Sequence, residues 1–132
     1  MTARIQNAAS NPDVGTGVQH LFKAIYSGGV PRETLELVHL WASQINGCSA
    51  CVDAGVTSAA KSGVSSEKLL TVAAWYENPL FDDAERAALA LTEAAKHYDE
   101  RQLSALVLMV GVSNFFNRIN TTLRVPPGTP YN

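Results

Sequence analysis

Cys48 and Cys51 are the only two cysteines of this chain, and just Ser49 and Ala50 separate them. A C-x-x-C unit brings two sulfurs within bonding reach, so the first chemistry to consider is dithiol–disulfide exchange. Asn46-Gly47 reads as a turn directly before the pair, and a helix is expected to begin there. Backbone N–H groups at a helix start stabilise negative charge, which favours the reactive thiolate. One thiolate would attack a peroxide or a disulfide, and a sulfenic acid formed with peroxide would condense with the second cysteine. Two buried cysteines serving as small apolar side chains would have the same spacing, so the motif alone leaves both readings open.

Proton handling needs a third group. Glu36 stands in the helix that precedes the cysteine turn. An antiparallel helical hairpin would fold it back over the thiols, where a carboxylate can act as general base. His39 is one turn beyond Glu36 and can face the same region; both residues are also compatible with a solvated helix surface. A structural zinc site needs four ligands. His20, His39 and His97 are widely separated and show no finger-like spacing with the cysteines, so no metal is expected. No Gly-rich phosphate loop, nucleotide motif or Ser-His-Asp arrangement is evident, and no cofactor is expected.

The elements that would position these groups read as helices throughout. Alanine pairs recur at 59–60, 73–74, 87–88 and 94–95, while alternating β-branched runs are missing. A first helix is expected from Val14 to Tyr26, ending at Gly28-Gly29. A second follows Pro31, with Leu37, Leu40, Trp41 and Ile45 at spacings of three and four. The third carries the cysteines and ends at Gly63. Ser65 or Ser66 starts a shorter helix through Trp75, and Asn78-Pro79 breaks the chain again. Asp82 with Glu85, and Asp99 with Gln102, have capping-box spacing. The second box opens an apolar helix from Leu103 to about Leu123, which Pro126-Pro127-Gly128 ends. The fold expected is all-α with about six helices in one domain, 1–132. Trp41, Trp75, Phe115 and Phe116 read as core or interface packing. Asn114, Asn117 and Arg118 share one face of the last helix and suggest a buried polar network at a helix or subunit contact, ahead of a substrate role.

Composition narrows the function classes. Ten Lys and Arg balance twelve Asp and Glu across 132 residues, with the basic residues dispersed. That distribution gives no electrostatic case for nucleic acid or an acidic membrane. No apolar run approaches the ~20 residues that span a bilayer, and residues 1–12 are polar, without a signal-peptide stretch. A cytoplasmic location is therefore expected. In that reducing compartment a C-x-x-C is more often redox-active or metal-bound than structural.

The stretch Leu35 to Cys51, LELVHLWASQINGCSAC, resembles the core of the carboxymuconolactone decarboxylase and alkylhydroperoxidase D-like family. Lys61-Ser-Gly63, Ala73-Ala-Trp75, the run from Phe81 to Leu91 and Asn114 to Asn120 are also similar to it, so the resemblance spans about Leu35 to Leu123. It implies an all-helical fold that assembles into dimers, trimers or hexamers. It also implies a dithiol that reduces hydroperoxides and is recycled by a thiol reductant, either a protein or a small dithiol. By position, Cys51 would attack the peroxide, Cys48 would resolve the sulfenic acid and Glu36 would relay protons.

Two positions depart from the family pattern C-x-x-C-x-x-x-H. The relay histidine aligns with Gly55, and a histidine found between the cysteines of the best-known peroxidase members aligns with Ala50. Neither residue transfers protons, and general acid–base help contributes about 10²–10⁴-fold. Glu36 with water, or His39, would have to substitute. The connection before Asp99 is also shorter than is usual in the family. The leading expectation is thus a peroxidase-like thiol–disulfide oxidoreductase. A degenerate, non-catalytic oligomeric binding or regulatory module is the alternative from another class, and lactone decarboxylation is a third reading that the cysteine pair disfavours.

Overall fold

Proline and glycine punctuation sets the helix limits in the computed structural model, which describes residues 12–105, 107 and 109. Helix α1, Pro12–Tyr26, starts on a proline, whose fixed φ and missing N–H suit the first helical position. It carries Val14, Val18, Leu21, Phe22 and Ile25 on one stripe, yet buries no residue. Gly29 turns the chain with φ 85°, and α2 follows as Arg32–Ile45. Gly47, φ 67°, makes the second reversal before α3, Ser49–Lys61.

Helices α2 and α3 pack against each other more extensively than any other pair of the described helices. Leu37 and Leu40 of α2 are fully buried, and α3 meets them through the small residues Gly55 and Ala59. Small residues let two helix backbones approach, which explains the low apolar content of α3 in its buried stripe. Its C-terminus is a Schellman motif: Val64 N–H donates to the Ala59 carbonyl and Gly63 N–H to that of Ala60, both at 3.1 Å. Gly63 takes φ 100°, as that motif requires.

Helix α4, Ser66–Thr71, is capped by Ser65, whose hydroxyl accepts from Lys68 N–H at 3.3 Å. The sequence suggests that this helix runs through Trp75; instead a 3₁₀ turn, Val72–Ala74, replaces its last part. The tighter winding delivers Val72 and Trp75 into the core, where both are buried. The loop that follows is held by Arg86, which donates to the carbonyls of Tyr76, Asn78 and Phe81. Phe81 is 2 % exposed and joins Leu37, Leu40, Ala59, Val64, Val72, Trp75 and Leu89 in one cluster. Trp41, Val52 and Leu69 pack against it, and the buried Trp41 indole N–H has no hydrogen-bond partner among the described residues.

The Asp82–Glu85 capping box forms as its spacing suggests, and it opens α5, Asp83–Ala94. Asp82 N–H donates to Glu85 Oε2 at 2.9 Å and Glu85 N–H to Asp82 Oδ1 at 2.8 Å. The Glu85 carboxylate, 5 % exposed, also receives Lys68 Nζ on both oxygens, at 2.6 and 2.8 Å. The described chain divides into two contact units, one ending at Leu89 and the other beginning at Ala90. In the second, five residues after Ala94 lead to a helix that opens at 100. Its capping box is also present: Asp99 N–H donates to Gln102 Oε1 and Gln102 N–H to Asp99 Oδ1. Asn114, Phe115, Phe116, Asn117 and Arg118 lie outside the described residues. All regular structure among the described residues is helical, and none of these helices is long and apolar enough to cross a membrane.

Candidate functional site

The cysteines occupy the first turn of α3. Cys48 is the N-cap, in extended conformation, and its Sγ accepts the Cys51 N–H at 3.3 Å. The Cys48 N–H donates to the Ser43 carbonyl and its carbonyl accepts from Val52, so both sides of its backbone are fixed. Three residues of separation put the two Cα atoms 5.2 Å apart, within the ordinary range for a disulfide, and the pair is disulfide-bonded. Both cysteines are half-buried while Ser49 and Ala50 between them are exposed. An N–H aimed at Cys48 Sγ stabilises negative charge that develops there when the bond is reduced.

Glu36 is not a solvated helix glutamate: it is 2 % exposed. It is reached from α1, because the Gly28-Gly29 turn lays the end of α1 beside the first turns of α2. The Tyr26 hydroxyl donates to Glu36 Oε1 at 2.9 Å, and Arg32 Nε approaches the same oxygen at 3.5 Å. Arg32 also stacks over the Tyr26 ring, 4.0 Å from its centroid. The hydrogen bond to Glu36, with burial and the carboxylate's charge, pushes the Tyr26 phenol above its ordinary value, and Arg32 opposes the rise. Tyr26 and Arg32 were not singled out by sequence reasoning. The signal that finds them is positional: a residue ending one helix before a short glycine turn faces the opening turns of the next.

Glu36 and His39 come together in one cavity of about 390 Å³ between α1, α2 and α3. Phe22, Ile25 and Tyr26 form one wall, Leu35 and Val38 accompany the two polar residues, and Ala54 and Ser58 close the third side. Ala54 stands one turn after Cys51, so this wall belongs to the stretch of α3 that begins with the thiols. The structure therefore joins Glu36 with His39 and sets both against α3. The hydrogen-bond and ion-pair partners of Glu36 are Tyr26 and Arg32, not a cysteine. His39 is exposed on one side and packs against Gly55 on the other. Among the described residues, no three of His, Cys, Asp or Glu are placed to hold a metal ion.

Comparison with known proteins supplies the context for this arrangement. The chain is 28% identical over 140 residues to the uncharacterized protein YdfG of Bacillus subtilis, covering 93% of this chain and 95% of the relative. It is 35% identical over 95 residues to the uncharacterized protein YnjA of Escherichia coli, covering 60% of this chain and 52% of that longer protein. Among solved structures it is similar to ATU0492 of Agrobacterium tumefaciens, a protein of unknown function described as a candidate antioxidant defence protein AhpD. That likeness has a TM-score of 0.62 at 27% identity and covers 99% of this chain and 100% of the other. The sequence profile of the carboxymuconolactone decarboxylase family matches residues 12–94, a span that holds α1 to α5, the cysteine pair and the cavity of Glu36 and His39. With that match extending over more than half of its length, the chain belongs to the carboxymuconolactone decarboxylase family.

Proposed function

We propose that this protein is a dithiol hydroperoxide reductase of the alkylhydroperoxidase D-like type. The observation that carries the reading is the Cys48–Cys51 pair at the start of α3, bonded to each other, on the helix whose next turn, at Ala54, lines a cavity that holds a carboxylate and an imidazole. In the reduced protein Cys51 attacks the peroxide and becomes a sulfenic acid. Cys48 then attacks the Cys51 sulfur, water leaves and the disulfide forms. A thiol reductant, protein or small dithiol, restores both thiols. The N–H directed at Cys48 Sγ suits the resolving role, since it favours the thiolate that attacks the sulfenic acid. In this reading Glu36, held by Tyr26 and Arg32, handles protons for the dithiol. We place the enzyme in the cytoplasm, where such reductants operate, and as a homo-oligomer. The exposed apolar stripe of α1, with Leu21 61 % and Phe22 48 % exposed, supports assembly with further copies.

The test is stoichiometric. Reduced protein is mixed with an organic hydroperoxide, and intact mass is followed against peroxide consumed. The reading expects two hydrogens lost per peroxide, and none in Cys51→Ser. A second reading, a non-catalytic binding module, is favoured by Ala50 and Gly55 at the two positions where peroxidase relatives carry histidine. It expects oxidation no faster than that of a free thiol, and that outcome would replace the first reading.

A further inference from the structure

The imidazole of His39 occupies the space that a side chain at position 55 would need. A Cβ placed on Gly55 would meet His39 Cδ2 at 3.2 Å, His39 Nε2 at 3.5 Å and Leu40 Cδ1 at 3.4 Å. Gly55 is buried, and its cover includes these two α2 side chains. Position 55 is four residues after Cys51, and residues so spaced are neighbours on one helix face, about 5–6 Å apart between their Cβ positions. The ring therefore packs against α3 one helical turn after Cys51. His39 as a residue is exposed to solvent.

We infer that His39 is the acid–base group for Cys51, supplied from α2 across α3, and that Gly55 is the notch that admits it. The inference rests on the dithiol peroxidase reading and extends it. Cys51 thiolate donates an electron pair to the terminal oxygen of the hydroperoxide, an S–O bond forms and the O–O bond breaks. The departing alkoxide takes a proton from the His39 imidazolium and leaves as alcohol. Neutral His39 then accepts the Cys48 thiol proton as that sulfur attacks the Cys51 sulfenic acid. The hydroxide expelled from Cys51 recovers the same proton and leaves as water. Cysteine sulfur is oxidised to disulfide and one peroxide is reduced, with protons and charge balanced.

Among the described residues, the charged and titratable surroundings of His39 include Glu36, Tyr26, Arg32 and groups of α3. Glu36 precedes it by one turn of α2 and Tyr26 faces the same cavity from α1, with Arg32 bound to both. On α3 the titratable residues flanking Gly55 are Asp53 and, one turn before Gly55, Cys51. Asp53 lines a separate open surface with Gln44, Gly47, Ser49, Val52 and Val56. The division of labour follows: Glu36 is anchored by its partners, whereas His39 is open to solvent.

The experiment measures the rate of peroxide-driven disulfide formation against pH in wild type, H39Q, G55A, the double variant H39Q/G55A, the exchange variant H39Q/G55H and Cys51→Ser. H39Q sits at an exposed position and should retain its thermal stability. Its expected effect is a rate lower by about 10²-fold or more, with the histidine-dependent limb of the pH profile lost. G55A should also slow wild type, because the ring must retreat, but should cost little in the H39Q background. H39Q/G55H should recover part of the rate and restore a pH-dependent limb. A wild-type rate and profile in H39Q, or independent effects of H39Q and G55A, would overturn the inference. If Cys51→Ser abolishes a fast wild-type reaction while H39Q leaves it intact, only the role of His39 fails. If wild type itself reacts like a free thiol, the peroxidase reading and this inference both fail.

Discussion

Replacing Tyr26 with phenylalanine removes one oxygen from the contact that ties α1 to α2. Helix α1 buries none of its own residues, so its attachment depends on Tyr26 more than on apolar packing. The lost interaction is a hydrogen bond of 2.9 Å onto a carboxylate that is 2 % exposed. Bonds to charged groups contribute about 1.5–3 kcal/mol. Tyr26 is itself half-buried, so solvent competes and the lower end, about 1.5 kcal/mol, applies. The ring remains in Tyr26→Phe, and with it the Arg32 stack at 4.0 Å and the Phe22 stack at 5.9 Å. The free-energy change then appears as local detachment, with α1 open about tenfold more often. Hydrogen exchange reads this directly: α1 amides should exchange about tenfold faster in the variant, while α2 and α3 change little. The pH dependence has a definite sign. The folded phenol titrates above its ordinary value of 10.0, so its stabilising contribution is complete below that value. It is lost as pH rises through the folded value, where phenolate would face the Glu36 carboxylate. Wild type should release α1 in that alkaline range, and Tyr26→Phe should show no such step. Equal α1 exchange in both proteins, or a Tyr26 phenolate forming at or below its ordinary value, would refute the reasoning.

Three further outcomes are expected. Glu85→Ala removes the carboxylate half of the α5 capping box and the partner of a Lys68 side chain that is 23 % exposed, at a cost of about 3 kcal/mol, the low end for a buried pair. Thermal unfolding should fall by roughly 10 °C, and Glu85→Gln with Lys68→Met should recover most of it. Gly63→Ala should cost about 1–2 kcal/mol in denaturant unfolding through its left-handed backbone. Crowding does not contribute, since its Cβ would find Glu33 Oε1 at an ordinary 3.6 Å. Leu21→Glu should dissociate the proposed oligomer in sedimentation velocity and leave the helical content unchanged; a wild type that already sediments as a monomer would remove the basis for that assembly.

The helix limits were legible because they depend on local chemistry. Pro31, Gly63, Ser65 and the Asp82–Glu85 and Asp99–Gln102 boxes each satisfy backbone groups within a few residues of themselves, and each is found where the sequence suggests. The family resemblance was legible for the same reason, since its motifs are contiguous stretches. The 3₁₀ turn at Val72–Ala74 was not, because it answers to the burial of Trp75 in a core assembled from residues distant in sequence. The surroundings of Glu36 were not legible either. Its identity and spacing made it a candidate, but the phenol that binds it comes from ten residues away across a glycine turn. His39 and Gly55 were visible separately, as a possible donor and a missing one. Their contact depends on how closely α2 and α3 approach, and periodicity does not fix that distance.

The central claim, that this chain uses Cys51 as a peroxide-attacking thiol, is tested most directly by trapping its oxidised form. Reduced Cys48→Ser, which cannot resolve, is exposed to an organic hydroperoxide with a dimedone-type nucleophile, and the modified residue is identified by peptide mass. The account predicts a sulfenic-acid adduct on Cys51, formed far faster than on free cysteine under the same conditions. An adduct formed only at the rate of the free amino acid would contradict it.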